Sequence, residues 1–182
     1  VAGVLGVGGD ASSLAQFSGE FDGSGKRMRV RFSTCWPVAT DAAYLTGGRL
    51  SVGYKAGKDN RYAGETGFVK AVKGVGSNIE DIQPKRLVQL LFGDLDDVTF
   101  AKQSGKSKVI SAEGKSSQVV GVSFNRVKSD GNEVSARAVF SATVVSGDLY
   151  AFVMTCRPET WKVESDKARI NAAVESFQVM PI

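Results

Sequence analysis

Along residues 26–33 the cations Arg27, Arg29 and Arg31 alternate with Met28, Val30 and Phe32. A strand sends successive side chains to opposite faces, so this period predicts one apolar face and one face carrying three guanidiniums. Cys35-Trp36-Pro37 ends it, since proline withholds the N–H that a continuing ladder needs. Further strands are predicted at 48–54 and 67–75, joined as a hairpin through the Gly-, Lys-, Asp- and Asn-rich turn at 56–65. The period then changes. Pro84 suits a first helical position, Leu87, Leu90 and Leu91 form an apolar stripe, and Gly93 is a natural stop, so a helix is predicted over 84–92. DLDDVTFAKQSG, residues 94–105, reads as a polar connection.

From Ser107 the chain reads as a β-meander: SKVISAEG, SQVVGVSFNRVK, EVSARAVFSATVV and DLYAFVMTCR, joined by glycine-bearing turns. Apolar residues dominate both faces of the last two segments, which predicts central strands covered on both sides. Val163, Ile170, Val174 and Phe177 recur at helical spacing and predict a closing helix. Residues 1–20, rich in Gly, Ser and Ala without a sustained period, read as a flexible N-terminal arm ahead of a single domain at 21–182. The fold class is α+β: a largely antiparallel β-sheet flanked by helices.

Composition narrows the chemistry. The 182 residues, 42% hydrophobic and 23% charged, are those of an ordinary globular domain. No apolar run approaches the ~20 residues of a membrane helix, so the chain is not expected to span a bilayer. Histidine is absent, which removes His-based metal sites and Ser-His or Cys-His mechanisms. The net charge of +4 permits an acidic partner but falls short of a nucleic-acid arm. Cys35 and Cys156 are either a disulfide or two small buried residues, and composition does not choose. The chain begins at Val1 without a basic and then apolar leader, so a targeting signal is expected to be absent or already removed.

Several stretches imitate known sites. GVLGVGGDA has the wrong spacing for a dinucleotide loop and no strand before it. GSGKR carries Arg27 where a phosphate loop needs Ser or Thr to hold magnesium. The carboxylates Glu80-Asp81 and Asp94-Asp96-Asp97 lack the calcium-loop pattern and read as solvated turns. Trp36 and Trp161 read as caps on the core edge. Nothing has the pattern of an enzyme, and no cofactor is implied. The remaining candidate is the basic row, Lys26, Arg27, Arg29 and Arg31, whose occupant is water, a carboxylate of the same chain (Glu20, Asp22 or Glu133), or an acidic partner.

Taken in order, TCWP at 34–37, IEDIQPKRLV at 79–88, ATVVSGDLY at 142–150, RPETWK at 157–162 and VESFQV at 174–179 resemble the PsbP domain. The likeness runs from about Phe21 to Val179 and is most specific in its C-terminal part. It implies an α/β/α sandwich in a non-catalytic extrinsic protein of the chloroplast thylakoid lumen, its targeting peptide removed. It also implies docking on lumenal domains of photosystem core subunits and other extrinsic proteins. The function so implied is stabilisation of the oxygen-evolving complex of photosystem II and retention of its Ca²⁺ and Cl⁻. The alternatives are an assembly or stabilising subunit of photosystem I, or a free lumenal ligand-binding module. The family's metal-binding histidines have no counterpart in this chain. In that setting Lys26, Arg27, Arg29 and Arg31 become the partner-binding residues. The lumen permits disulfides, so Cys35 and Cys156, each at a strand end just before a proline, are expected to form a bridge.

Overall fold

A computed structural model describes residues 14–39, 49–53, 62 and 64–182. The first elements are strands β1 (Ala15–Phe21), β2 (Met28–Thr34), β3 (Arg49–Gly53) and β4 (Thr66–Val72). A 3₁₀ turn (Ile79–Asp81) and helix α1 (Pro84–Phe92) follow. The meander is β5 (Val98–Ala112), β6 (Lys115–Val127), β7 (Glu133–Val145) and β8 (Asp148–Cys156). The chain closes with α2 (Pro158–Trp161), α3 (Glu164–Glu175) and β9 (Gln178–Pro181). The strands form two sheets, both antiparallel: a three-stranded sheet β1-β2-β9 and a six-stranded sheet β3-β4-β8-β7-β6-β5.

The helix over 84–92 and the hairpin of β3 and β4 match the sequence expectation, although much of the 56–65 turn lies outside the described residues. The placement of β7 and β8 at the centre of the large sheet matches it as well. Two expectations need correction. Residues 1–13 of the predicted arm lie outside the described residues, but Leu14 is buried and Ala15–Phe21 is strand β1, held in register by β2. Its alternation is cryptic because Gly19 replaces a side chain on the inner face that Phe17 and Phe21 occupy. The connection predicted at 94–105 is largely the first half of β5. As the edge of the large sheet β5 is wet on both faces, so no apolar period marks it.

Alternation along each central strand makes two cores. Tyr150, Phe152 and Met154 point to one side, where they meet Met28, Val30 and Phe32 of β2 and Ile170, Ala173 and Val174 of α3. Leu149, Ala151 and Val153 point to the other and meet Leu87, Val88 and Leu91 of α1. Gln118, buried on β6, donates to the carbonyls of Ile79 (2.9 Å) and Ile82 (3.0 Å) and so ties the 3₁₀ turn to the sheet. At Gly67 a Cβ would run into the Val153 carbonyl and the Met154 sulfur, so β4 approaches β8 closely only because that atom is missing.

The apolar face of β2 therefore packs on the C-terminal helix and the large sheet. Phe32 is fully buried, its ring centroid 4.3 Å from that of Phe152 and 5.1 Å from that of Phe17. Phe32→Ala is expected to cost about 3–5 kcal/mol in urea unfolding. An unchanged midpoint would mean that β2 presents its other face to the core.

Candidate functional site

The basic row lies on the outer face of the three-stranded sheet, opposite the core. Its residues differ in what they meet. Arg27 donates to both carboxylate oxygens of Glu20 at 2.6 Å, and this guanidinium holds the Glu20 carboxyl below its ordinary range. Lys26 lies 3.6 Å from Asp148, whose other oxygen accepts from the Gly74 N–H at 2.9 Å. Arg29 donates to Ser18 Oγ at 3.4 Å and stands across from Glu20 in the register, adding to the charge that lowers its carboxyl, and Arg31 donates to Gln178 Oε1 at 2.8 Å while its buried Nε has no partner. Two of the four cations are thus in ion pairs of the chain itself, Arg29 shares the field of Glu20 without a salt bridge, and Arg31 has a neutral partner. Glu133, the cross-strand candidate, instead accepts from Asn125 on β6.

A second cluster had no signal in the sequence beyond Arg169 standing on the apolar stripe of α3. Glu65, the residue before β4, is buried and faces Arg169, which is also buried. Arg169 Nη1 and Nη2 donate to Glu65 Oε1 and Oε2 at 2.8 and 2.9 Å, and Nη2 also donates to Asp166 at 3.0 Å. Trp36, following β2, donates its indole N–H to Glu65 Oε1 at 2.9 Å. The guanidinium stacks 4.1 Å from the Tyr62 ring centroid. Glu65 can come this close to β3 because Gly53, at φ +118°, has no Cβ to strike its carbonyl. The cluster joins both sheets to α3, and its polar groups are committed to one another.

The predicted disulfide is not formed. Cys35 and Cys156 are free thiols. Cys35 follows β2 in the small sheet and Cys156 ends β8 in the large one, so no ladder pairs the two strands, and the Cys35 sulfur accepts from Arg169 at 3.3 Å. Burial pushes the Cys35 thiol up to about 11, with Arg169 offsetting only part, and burial pushes Cys156 up to about 12.

Asp94, read as a solvated turn, is 2.6 Å from Lys70 Nζ and 3.7 Å from Arg49. Lys70 also donates to the Leu90 carbonyl at the end of α1, so a cation offsets both that carboxylate and the helix dipole. Among the described residues no group of three or more His, Cys, Asp and Glu side chains is placed to hold a metal ion. Nor, among the described residues, is any helix long and apolar enough to cross a membrane.

This architecture, a large antiparallel sheet with helices on either side and a small sheet closing one face, is a PsbP-like fold. The solution structure of cyanobacterial PsbP (CyanoP) from Synechocystis sp. PCC 6803 is similar over 97% of this chain and 98% of that one, with TM-score 0.58 and 17% identity. The Saccharomyces cerevisiae Ran-binding protein Mog1p is similar over 92% and 97%, with TM-score 0.55 and 10% identity. LpqN of Mycobacterium tuberculosis, involved in cell envelope biogenesis, aligns over 92% of each chain with TM-score 0.45 and 13% identity. No protein-family model and no curated protein matches the chain.

Two outcomes follow from the buried cluster. Arg169→Ala strands the Glu65 carboxylate and should cost about 3–5 kcal/mol in urea unfolding, whereas Glu65→Met/Arg169→Leu, which removes both charges, should cost clearly less. The thiols should resist alkylation in the folded protein at pH 8, read by mass spectrometry, and both should react once it is denatured without reductant. The absence of any reacting thiol in the denatured, unreduced protein would restore the bridge.

Proposed function

We propose that the chain is a non-catalytic extrinsic protein that docks on the lumenal face of photosystem II, stabilises the oxygen-evolving complex and helps retain its Ca²⁺ and Cl⁻. Its place is the thylakoid lumen, peripheral to the membrane. The observation that carries this reading is the end-to-end likeness in fold to a cyanobacterial PsbP. The residues at 34–37, 79–88 and 142–179 that resemble the PsbP domain support it.

Docking is assigned to the outer face of the three-stranded sheet. Arg29 and Arg31 are in no salt bridge among the described residues, Arg29 only sharing the field of Glu20 across the strands, so an acidic surface gains from them without first breaking an ion pair. Arg27 and Lys26 would have to leave Glu20 and Asp148. Arginine suits the role because its planar fork binds carboxylates bidentately. Contacts of this kind are screened by salt, so moderately high NaCl releases the protein.

The test is reconstitution onto salt-stripped photosystems, with circular dichroism as a check on folding. Arg29→Glu/Arg31→Glu is expected to weaken binding about tenfold or more, and Arg27→Gln to weaken it less. Equal binding by folded Arg29→Glu/Arg31→Glu protein would remove this face from the interface. Stoichiometric recovery with photosystem I in place of photosystem II would move the chain to that complex as an assembly or stabilising subunit.

A further inference from the structure

At one end of the large sheet, where β8 leaves for α2 beside the end of β6 and the start of β7, lies a cavity of about 390 Å³. It is remote from the row on β2 and is independent of the photosystem reading. Three cations line it: Arg126 and Lys128 from the end of β6, and Arg157 from the step between β8 and α2. One carboxylate, Glu159, faces them, an excess of two positive charges. Among the described residues none of the three cations is in an ion pair, and Glu159 is in none either. Arg126 also keeps its Nε buried without an acceptor. It borders a second, smaller cavity of about 180 Å³ that shares Thr155 with the first.

We propose that this cavity is a binding site for a small organic polyanion, a polycarboxylate or a phosphorylated compound on a short carbon frame. A buried guanidinium N–H can only donate, so the group it lacks is an acceptor. Arg126 and Arg157, with Lys128 at the rim sharing its charge with Asp130 of the adjoining turn, focus a positive potential on a concave space. The volume lies in the range of small-molecule sites and far exceeds the ~30 Å³ of one water, so a halide or a lone water under-fills it. Val134, Ala136 and Pro158 supply apolar wall for a carbon frame, and Ser135 adds a polar side chain to the lining. Arg126 and Arg157 are assigned to the anionic groups in bidentate geometry, with Lys128 as a point charge at the rim.

The test is isothermal titration calorimetry of the full chain with citrate and with pyrophosphate at fixed ionic strength, alongside acetate and glycerol. One saturable site for citrate or pyrophosphate is expected, with little or no heat from acetate and glycerol. Arg126→Gln and Arg157→Gln should each weaken it about tenfold or more. Lys106→Gln, on the distant exposed edge strand β5, should leave it unchanged. Amide shifts in ¹H–¹⁵N spectra of the unmodified chain, confined to 126–128, 134–136 and 155–159 on adding the probe, locate the site without any variant. The proposal is overturned by the absence of saturable binding for both probes. It is equally overturned by shifts spread over surface lysines, or by a Lys106→Gln effect as large as that of Arg157→Gln.

Discussion

The bidentate contact between Glu65 and Arg169 is the constraint on which the arrangement of layers depends. Glu65 belongs to the large sheet, Arg169 to the C-terminal helix, and Trp36, which shares the carboxylate, to the end of the small sheet. Apolar surfaces alone permit such layers to slide, because burial is non-directional. A guanidinium fork set on one carboxylate accepts far fewer geometries. Both partners are nearly inaccessible, their side chains 2% and 7% exposed, so neither can turn to water if the layers shift. Such a pair adds little net stability over apolar residues of the same volume. Its effect is to make misaligned packings costly.

With its inner face locked in this way, the small sheet has one wet face, and there the distribution of charge becomes informative. The excess of four cations over the chain is not spread evenly. Lys26, Arg27, Lys70, Lys108 and Arg169 are matched by carboxylates of the chain itself. Arg29 and Arg31 on the small sheet, and Arg126, Lys128 and Arg157 at the end of the large one, are not. The matched cations hold elements together; of the cations without an ion pair among the described residues, two stand on the flat face of the small sheet and three line a cavity. These two places are where binding energy is available without dismantling the fold.

The large sheet treats its margins differently from its centre. Strands β7 and β8 are covered by helices and the small sheet, whereas β5 runs for 15 residues with a free edge. Lys102, Lys106 and Lys108 and a register shift between Ser104 and Lys108 blunt that edge against pairing with another chain. The same polar composition kept its first half from reading as a strand.

What the sequence determined by itself was local. Period-two alternation placed β2 and assigned its buried face correctly, Pro84 and Gly93 bounded α1, and glycine-bearing turns set the meander from its second strand onward. These follow from nearest-neighbour geometry, which a sequence carries in its spacing. Tertiary structure alone decided that β2 leaves the large sheet for a small one with β1 and β9, because strand partnership depends on which surfaces remain to be covered. It also decided that Cys35 lies against Arg169 rather than bonded to Cys156, and that Arg27 is matched while Arg29 is not. Spacing said that the three arginines share a face. Only folding set the Glu20 carboxylate on Arg27 with Arg29 beside it, and the neutral Gln178 on Arg31, since charge matching is settled by which strands become neighbours.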